Sequence, residues 1–242
     1  FGIQLHLYGL IVGTALAVGY WLISHILRRH TSVISPDPYL LPALVFGLIG
    51  ARVYHLVTDW SLYQQQPWTS WLAISQGGIG LIGGLIGGLL AVWLVASWRR
   101  EKQFIVPIIE AVAIAAPLAQ SIGRWGNFVN QELFGKPTQL PWAIVIKPEN
   151  RPQELQQFET FHPLFLYESL LNLTVFALLW YLYRSRRWEI GSGRFLSCYM
   201  IAYGGIRFGL EFLRIETARP SGVFSVLSIA QWVSLVMICL GG

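Results

Sequence analysis

Seven stretches of about 20 mostly apolar residues recur along this chain, near 3–27, 39–57, 78–98, 104–122, 163–183, 195–213 and 223–240, each long enough to cross the hydrocarbon core of a bilayer. Backbone inside hydrocarbon must satisfy its own hydrogen bonds, which restricts spans of this length to α-helices. Composition agrees, since 12% of the 242 residues are charged against roughly 25% in soluble domains. The expectation is an all-α integral membrane protein with seven transmembrane helices, forming a single transmembrane domain over 1–242. The first run is expected to persist as a span, because no small-residue cleavage site follows it.

Basic clusters set the orientation. Arg28 and Arg29 close the first run, Arg99, Arg100 and Lys102 the third, and Arg184, Arg186 and Arg187 the fifth, so alternate ends carry the charge that marks the cytoplasmic side of a cell membrane. The N-terminus is then outside and the C-terminus inside, and connections 58–77 and 123–162 lie on the extracytoplasmic face. The first mixes Trp60, Tyr63, Trp68 and Trp71 with glutamines, a composition for an interfacial arm that serves as anchor or gate. The second holds the β-like run PWAIVI, Pro141 to Ile146, and then a polar stretch, and is expected to form a small cap over the outer mouth.

Several classes are disfavoured. The basic residues form short clusters at helix ends, with no aromatic-laced stripe to suit nucleic acid. Cys198 and Cys239 fall in apolar runs without paired spacing, so no metal, redox cofactor or cysteine nucleophile is expected. Gly78, Gly80 and Gly83 match G-x-G-x-x-G, but no strand precedes them. Gly80, Gly84 and Gly88 instead recur every fourth residue and give a smooth face for a neighbouring helix. The lack of an internal repeat argues against a transporter built from inverted halves.

Ionisable residues in a span cost roughly 2.5–3.5 kcal/mol each and usually face a partner or a cavity. The stretch GRWGNFVNQELFG, Gly123 to Gly135, gathers Arg124, Asn127, Asn130 and Glu132 at the end of the fourth run. A glycine-rich helix stop explains Gly123, Gly126 and Arg124, though not two asparagines and a glutamate. In the sixth run Tyr203, Arg207 and Glu211 are spaced by four, with Arg214 three further on, so they share a face. Arg207 and Glu211 either neutralise each other or leave Arg207 to an anionic site. Arginine suits phosphate because its planar fork donates two parallel hydrogen bonds. His6 and Tyr8 sit at the outer end of the first run, where an aromatic belt also explains Tyr8. In FHPLFLYES, His162 is a loop histidine or a base, with Glu168 and Asn172 on one helical face. Arg52, His55 and Glu110 are intramembrane groups with no assigned role.

These blocks, LHLYG at Leu5 to Gly9, QGG at Gln76 to Gly78, GRWGNFVNQELFG, FHPLFLYE, YGGIRFGLEFLR and the late SIAQ, resemble the prolipoprotein diacylglyceryl transferase family along nearly the whole chain. The resemblance implies transfer of a diacylglyceryl group from phosphatidylglycerol to the lipobox cysteine thiol of a preprolipoprotein signal peptide, releasing glycerol phosphate. It implies headgroup binding by Arg124, Asn127, Glu132 and Gly135, and catalytic roles for Arg124, Arg207 and Tyr8. Asn130, Arg207, Glu211 and His6 join the substrate-binding set. Where the family places a histidine after its Gly-Gly, this chain has Ile82, so a base for the thiol is expected from His6, Tyr8, Glu132 or Glu211, or a cationic field lowers the thiol's pKa. A paralogue that binds or moves anionic phospholipid without catalysis is the alternative.

Overall fold

The computed structural model describes residues 2–30, 35–64, 66–67, 70–71, 78, 80–215 and 225–242, without the side chains of 2–6 and 81. Gln76 and Gly77 of the QGG block, Trp68, and the His6 side chain therefore lie outside the described residues. Eight α-helices are present among those described: α1 (Gly2–His30), α2 (Asp37–Thr58), α3 (Trp60–Tyr63), α4 (Leu81–Trp98), α5 (Ile105–Asn130), α6 (Leu164–Arg184), α7 (Arg194–Leu210) and α8 (Ile229–Gly241). Four segments are long and apolar enough to cross a membrane, namely Leu7–His30, Asp37–Thr58, Lys102–Asn130 and Leu164–Arg184, and Ile82–Trp98 and Ile229–Gly241 are shorter apolar helices. The protein is a multi-pass helical membrane protein.

The chain forms two compact units, one of Phe1–Ile23 with Ile109–Gly242 and the other of Ser24–Ile108. In the second unit α2 and α4 touch through their backbones. A Cβ on Gly87 would lie 2.2 Å from the Phe46 carbonyl oxygen, and one on Gly83 2.2 Å from that of Gly50. The ridge expected from the fourfold spacing, Gly84 and Gly88, keeps ordinary clearances of 3.4–3.5 Å to α2. The adjacent row carries the closest approach because α2 offers its own glycine, Gly50, opposite Gly83. Gly80 does have to lack a side chain, since Tyr54 fills that space.

In the first unit, the ends of helices are held by side chains. Glu110 is fully buried, and its carboxylate accepts from the backbone N–H groups of Gly191 and Phe195, satisfying donors that the start of α7 cannot pair within the helix. That gives the previously unassigned Glu110 a structural role. The late SIAQ block is a capping box: Ser228 Oγ accepts from the Gln231 N–H at 3.2 Å while Gln231 Oε1 accepts from the Ser228 N–H at 3.0 Å.

Between α5 and α6 two short strands, β1 (Ile144–Val145) and β2 (Thr160–Phe161), pair antiparallel. The PWAIVI run thus supplies a strand as its composition suggested. The other side of β2 bridges to Pro137, and Gly135 bridges in turn to Arg214, so this small sheet is stitched to the residues that follow α7.

Candidate functional site

The greasy helix does not stop at Gly123. α5 continues through GRWGNFVN to Asn130, so residues 123–130 belong to a helix instead of opening the connection that was expected there. The glycines are tolerated because the turn is held by side chains. Arg124 Nη1 donates to Asn127 Oδ1 at 3.2 Å, a helical i to i+3 pair, and Gly126 makes room for Tyr8. A Cβ there would lie 2.9 Å from the Tyr8 ring, so Tyr8 of α1 packs against α5 two residues beyond Arg124.

The helix ends in a turn where Gln131 and Leu133 both adopt left-handed backbone, φ 52° and 55°, a conformation that costs non-glycine residues about 1 kcal/mol or more. The turn returns Glu132 to the helix, so that Glu132 Oε1 accepts from Asn127 Nδ2 at 2.8 Å. The other end of the chain of contacts is Glu168 on α6, ion-paired with Arg124 Nη2. Glu168, Arg124, Asn127 and Glu132 therefore form one continuous hydrogen-bonded row. The sequence marked Glu168 only as sharing a face with Asn172. Its signal was the cost of a carboxylate about one turn inside a span, which needs a cation, and the Ser121–Ser169 hydroxyl pair at 2.9 Å shows how α5 and α6 bring the partners together.

On α7 and just beyond it, Arg207 Nη2 contacts Glu211 Oε2 at 2.7 Å, with Arg214 Nε 4.0 Å from the same oxygen. Of the two readings left open by the spacing, pairing is the one observed. The pair does not exhaust the cation, because Arg207 Nη1 is buried without a hydrogen-bond partner among the described residues. A buried guanidinium N–H without an acceptor is costly, and an incoming anion would relieve it. Burial lowers the Arg214 pKa from its ordinary value, and the neighbouring Arg207 charge adds to this, whereas Glu211 and Glu168 oppose it and Arg124 reinforces it. Arg124, Arg207 and Arg214 thus share one electrostatic neighbourhood with Glu168 and Glu211. Arg214 shares the helical face read from the sequence yet was missing from the expected site.

Gly135, expected at the headgroup, packs closely between neighbouring segments. Its N–H donates to the His162 carbonyl at 2.9 Å, and Lys136 donates to the Leu213 carbonyl at 2.8 Å. An added Cβ would meet His162 Cβ at 2.8 Å and the Leu213 carbonyl at 2.9 Å. It is the point where three chain segments touch. His162 belongs to the same junction, with Nδ1 3.2 Å from the Tyr167 hydroxyl, which also accepts from Trp142 Nε1 at 2.7 Å. Asn130, the last residue of α5, is exposed.

In the second unit Arg52 gains a role. It is buried and donates to three carbonyls, those of Trp71, Gly78 and Ser70, at 2.7–2.8 Å. Gly78 has φ 75° and its Cβ would collide with His55 Nε2 at 2.5 Å and Arg52 Nη1 at 2.6 Å, so the last glycine of QGG is needed for both conformation and space. His55 Nδ1 pairs with Asp59 at 2.9 Å. Ile82 lies in the first turn of α4, 42% exposed.

Apolar helices that carry a partly buried cluster of three arginines and two carboxylates define a membrane protein equipped to handle an anion near a helix end. The comparisons name the family. The model for prolipoprotein diacylglyceryl transferase matches residues 1–242. A phosphatidylglycerol–prolipoprotein diacylglyceryl transferase from Parasynechococcus marenigrum is 40% identical over 99% of this chain and 88% of the relative. The protein of that name from Trichormus variabilis is 40% identical, covering 99% and 84%, and that from Fervidobacterium nodosum 35%, covering 98% and 79%. This chain belongs to the prolipoprotein diacylglyceryl transferase family.

Proposed function

We propose that this protein transfers the diacylglyceryl group of phosphatidylglycerol to the cysteine thiol of a prolipoprotein, with Arg124, Arg207 and Arg214 as the phosphate site. The observation that carries the residue assignment is the unpartnered Arg207 Nη1 within the three-arginine cluster. Two carboxylates, Glu168 and Glu211, pair directly with these guanidinium groups, and Arg207 Nη1 is the donor left to meet a phosphodiester oxygen.

The thiolate sulfur attacks the methylene carbon that joins diacylglycerol to phosphate. A carbon–sulfur bond forms, the carbon–oxygen bond breaks, and its electron pair stays on the phosphate oxygen, so glycerol phosphate leaves with the added charge. Arginines aimed at that oxygen stabilise the transition state more than the singly charged lipid. Glu168 and Asn127 hold the Arg124 fork in position and Glu132 extends the row. Tyr8, set against Gly126, and His6 complete the expected substrate-binding and catalytic set, and the thiol proton passes to a carboxylate, Glu132 or Glu211.

The reading treats residues 1–242 as one transmembrane domain of seven spans in the bacterial cell membrane. The N-terminus is outside, the 58–77 arm lies at the interface, and the small sheet after α5 caps the extracytoplasmic site. The exposed basic ends of α1, α4 and α6 support that orientation through their cytoplasmic preference. A lipid-binding relative without catalysis predicts no product.

The deciding experiment incubates the reconstituted protein with phosphatidylglycerol and a lipobox peptide and weighs the peptide. A diacylglyceryl mass gain on cysteine is expected, and lipid binding without the gain overturns the proposal. Ile82→His is expected to raise the rate about tenfold at neutral pH, with the gain fading below the ordinary histidine pKa of about 6.5. An unchanged rate would show that the base is already supplied.

A further inference from the structure

Deeper along α5 and α6 than Arg124 and Glu168, the first unit holds polar groups that the transfer chemistry does not use. Asn172 of α6 is fully buried, and neither its amide nitrogen nor its amide oxygen has a hydrogen-bond partner among the described residues. The buried Oε1 of Gln120 on α5 is likewise unpaired, while Gln120 Nε2 donates to the Tyr199 hydroxyl of α7 at 2.9 Å. Inside a bundle of membrane helices such groups have no bulk solvent to turn to, and leaving them bare is costly.

These groups share one level of the unit. Arg124 pairs with Glu168 and Ser121 with Ser169, so a step back along α5 goes with a step forward along α6, and the two helices run antiparallel. About one turn beyond Ser169 on the same face comes Asn172, and about one turn before Ser121 comes Pro117, buried inside α5. Proline has no N–H, so the carbonyl of Ala113, four residues back, loses its helical donor. Ala113 is buried as well, which adds an acceptor to the set.

Whatever satisfies this set must both donate and accept. Asn172 offers N–H donors and an acceptor oxygen, and Gln120 Oε1 and the Ala113 carbonyl call for donors. A metal cation would serve the oxygens and leave the Asn172 N–H groups bare. A large hydroxylic molecule does not fit where Asn172 has no exposed surface. Water meets both demands, and a buried water usually makes about three such bonds. We propose that Asn172, Gln120 and the Ala113 carbonyl freed by Pro117 form an internal water site between α5 and α6, with Tyr199 of α7 at its edge. Helices bend at proline and where water enters the hydrogen-bond ladder, and here the two coincide. The site stands whether or not the arginines hold a lipid phosphate.

X-ray radiolytic footprinting of the full chain in detergent tests this, because hydroxyl radicals formed from a bound water oxidise the side chains beside it even when they are buried. Pro117 is the reporter, and mass spectrometry of the wild-type protein is expected to find it oxidised. Asn172→Leu, close in shape but without polar atoms, is expected to reduce that oxidation about fivefold or more, with oxidation of the exposed Trp142 unchanged. The melting temperature supplies an independent sign. Removing a bare buried amide raises it, whereas removing one bonded to water strands the water's other partners and lowers it, here by about 3 °C. An unoxidised Pro117 in the wild type overturns the water site, as does equal oxidation in Asn172→Leu. A higher melting temperature for Asn172→Leu overturns it too and leaves the amide a true orphan. If Asn172→Leu fails to fold, the wild-type oxidation of Pro117 still decides.

Discussion

Two helix pairings in this molecule are built on opposite principles. α2 and α4 touch through backbone, with glycines that let carbonyls approach, whereas α5 and α6 reach one another through the Arg124–Glu168 ion pair, and α7 carries its own pair, Arg207–Glu211, at its end. The first arrangement draws on dispersion between close surfaces, which is available to helices in lipid without any hydrophobic drive. The second places ions in a poor dielectric, where pairing only partly offsets the cost of desolvation. A membrane protein that needed packing alone would use the first everywhere. The second is therefore where selection for chemistry shows, and it retains a donor, Arg207 Nη1, that the fold itself does not satisfy.

The sharpest way to break the contrast is to give the backbone pairing a side chain. In Gly87→Val the new Cβ must displace the Phe46 carbonyl at 2.2 Å, which no rotamer relieves. A loss of about 3 kcal/mol or more is expected, read as collapse of the folded fraction in detergent by thermal unfolding. Gly123→Val serves as the control, because nothing lies within 4 Å of its Cβ, and it should stay within about 0.5 kcal/mol of the wild type. Equal effects at the two positions would dissolve the comparison.

In the charged pairing the corresponding change should spare the fold and remove the activity. Arg124→Lys keeps the charge beside Glu168 but cannot donate to Glu168 and Asn127 while also presenting a fork to phosphate. Turnover is expected to fall about 100-fold, equivalent to about 2.7 kcal/mol of barrier, with thermal unfolding shifted far less than in Gly87→Val. Wild-type turnover in this variant would remove Arg124 from the mechanism.

The two pairings also differ in how well they could be read in advance. Glycine periodicity announced the close face of α4, but the tighter row turned out to be Gly83 and Gly87, because which ridge is used depends on where α2 carries Gly50. A one-dimensional pattern holds no information about the partner's register. In the charged region the expense of ions in a span singled out Arg124, Arg207 and Glu211 directly. Their partners were harder, since Glu168 lies 44 residues from Arg124 and its pairing depends on how α5 and α6 align. The same limit concealed the fact that Gly135 is a three-segment junction and that the SIAQ block is a helix cap. The helical continuation through Gly123 and Gly126 was missed because local glycine content reads as a stop, while the Arg124–Asn127 bond and the Tyr8 ring that hold the turn are made only in the folded protein.

Arg52 lies between the two principles, a charge that ties one stretch of chain to another. Its three carbonyl acceptors come from residues 70–78, so it anchors that connection to α2 without an anionic partner in those bonds. Arg52→Gln can replace at most part of the set and is expected to cost about 2 kcal/mol. The loss should appear as faster proteolysis of the 64–80 connection at unchanged lipid binding by the cation cluster. Loss of lipid binding with the connection still protected would give Arg52 a part in the site.

The smallest expected effect distinguishes exposed charge from both pairings. Glu101, at the loop joining α4 to α5, has its carboxyl held below the usual carboxylate range, mainly by the hydrogen bond from Arg99 and then by that from the Tyr39 hydroxyl. A carboxyl whose folded pKa is depressed adds stability that is complete above its unfolded pKa of about 4.3 and is lost as pH falls through the lower folded value. Protonation would also turn the Tyr39 contact from an ionic acceptor into a neutral one. Thermal unfolding of Glu101→Gln and the wild type should therefore differ slightly at neutral pH and converge below about pH 4, with added salt shrinking the neutral-pH difference because Arg99 is solvent-exposed. A gap that persists in acid would mean that Glu101 acts through the shape of the loop, as the glycines of α4 do, and not through its charge.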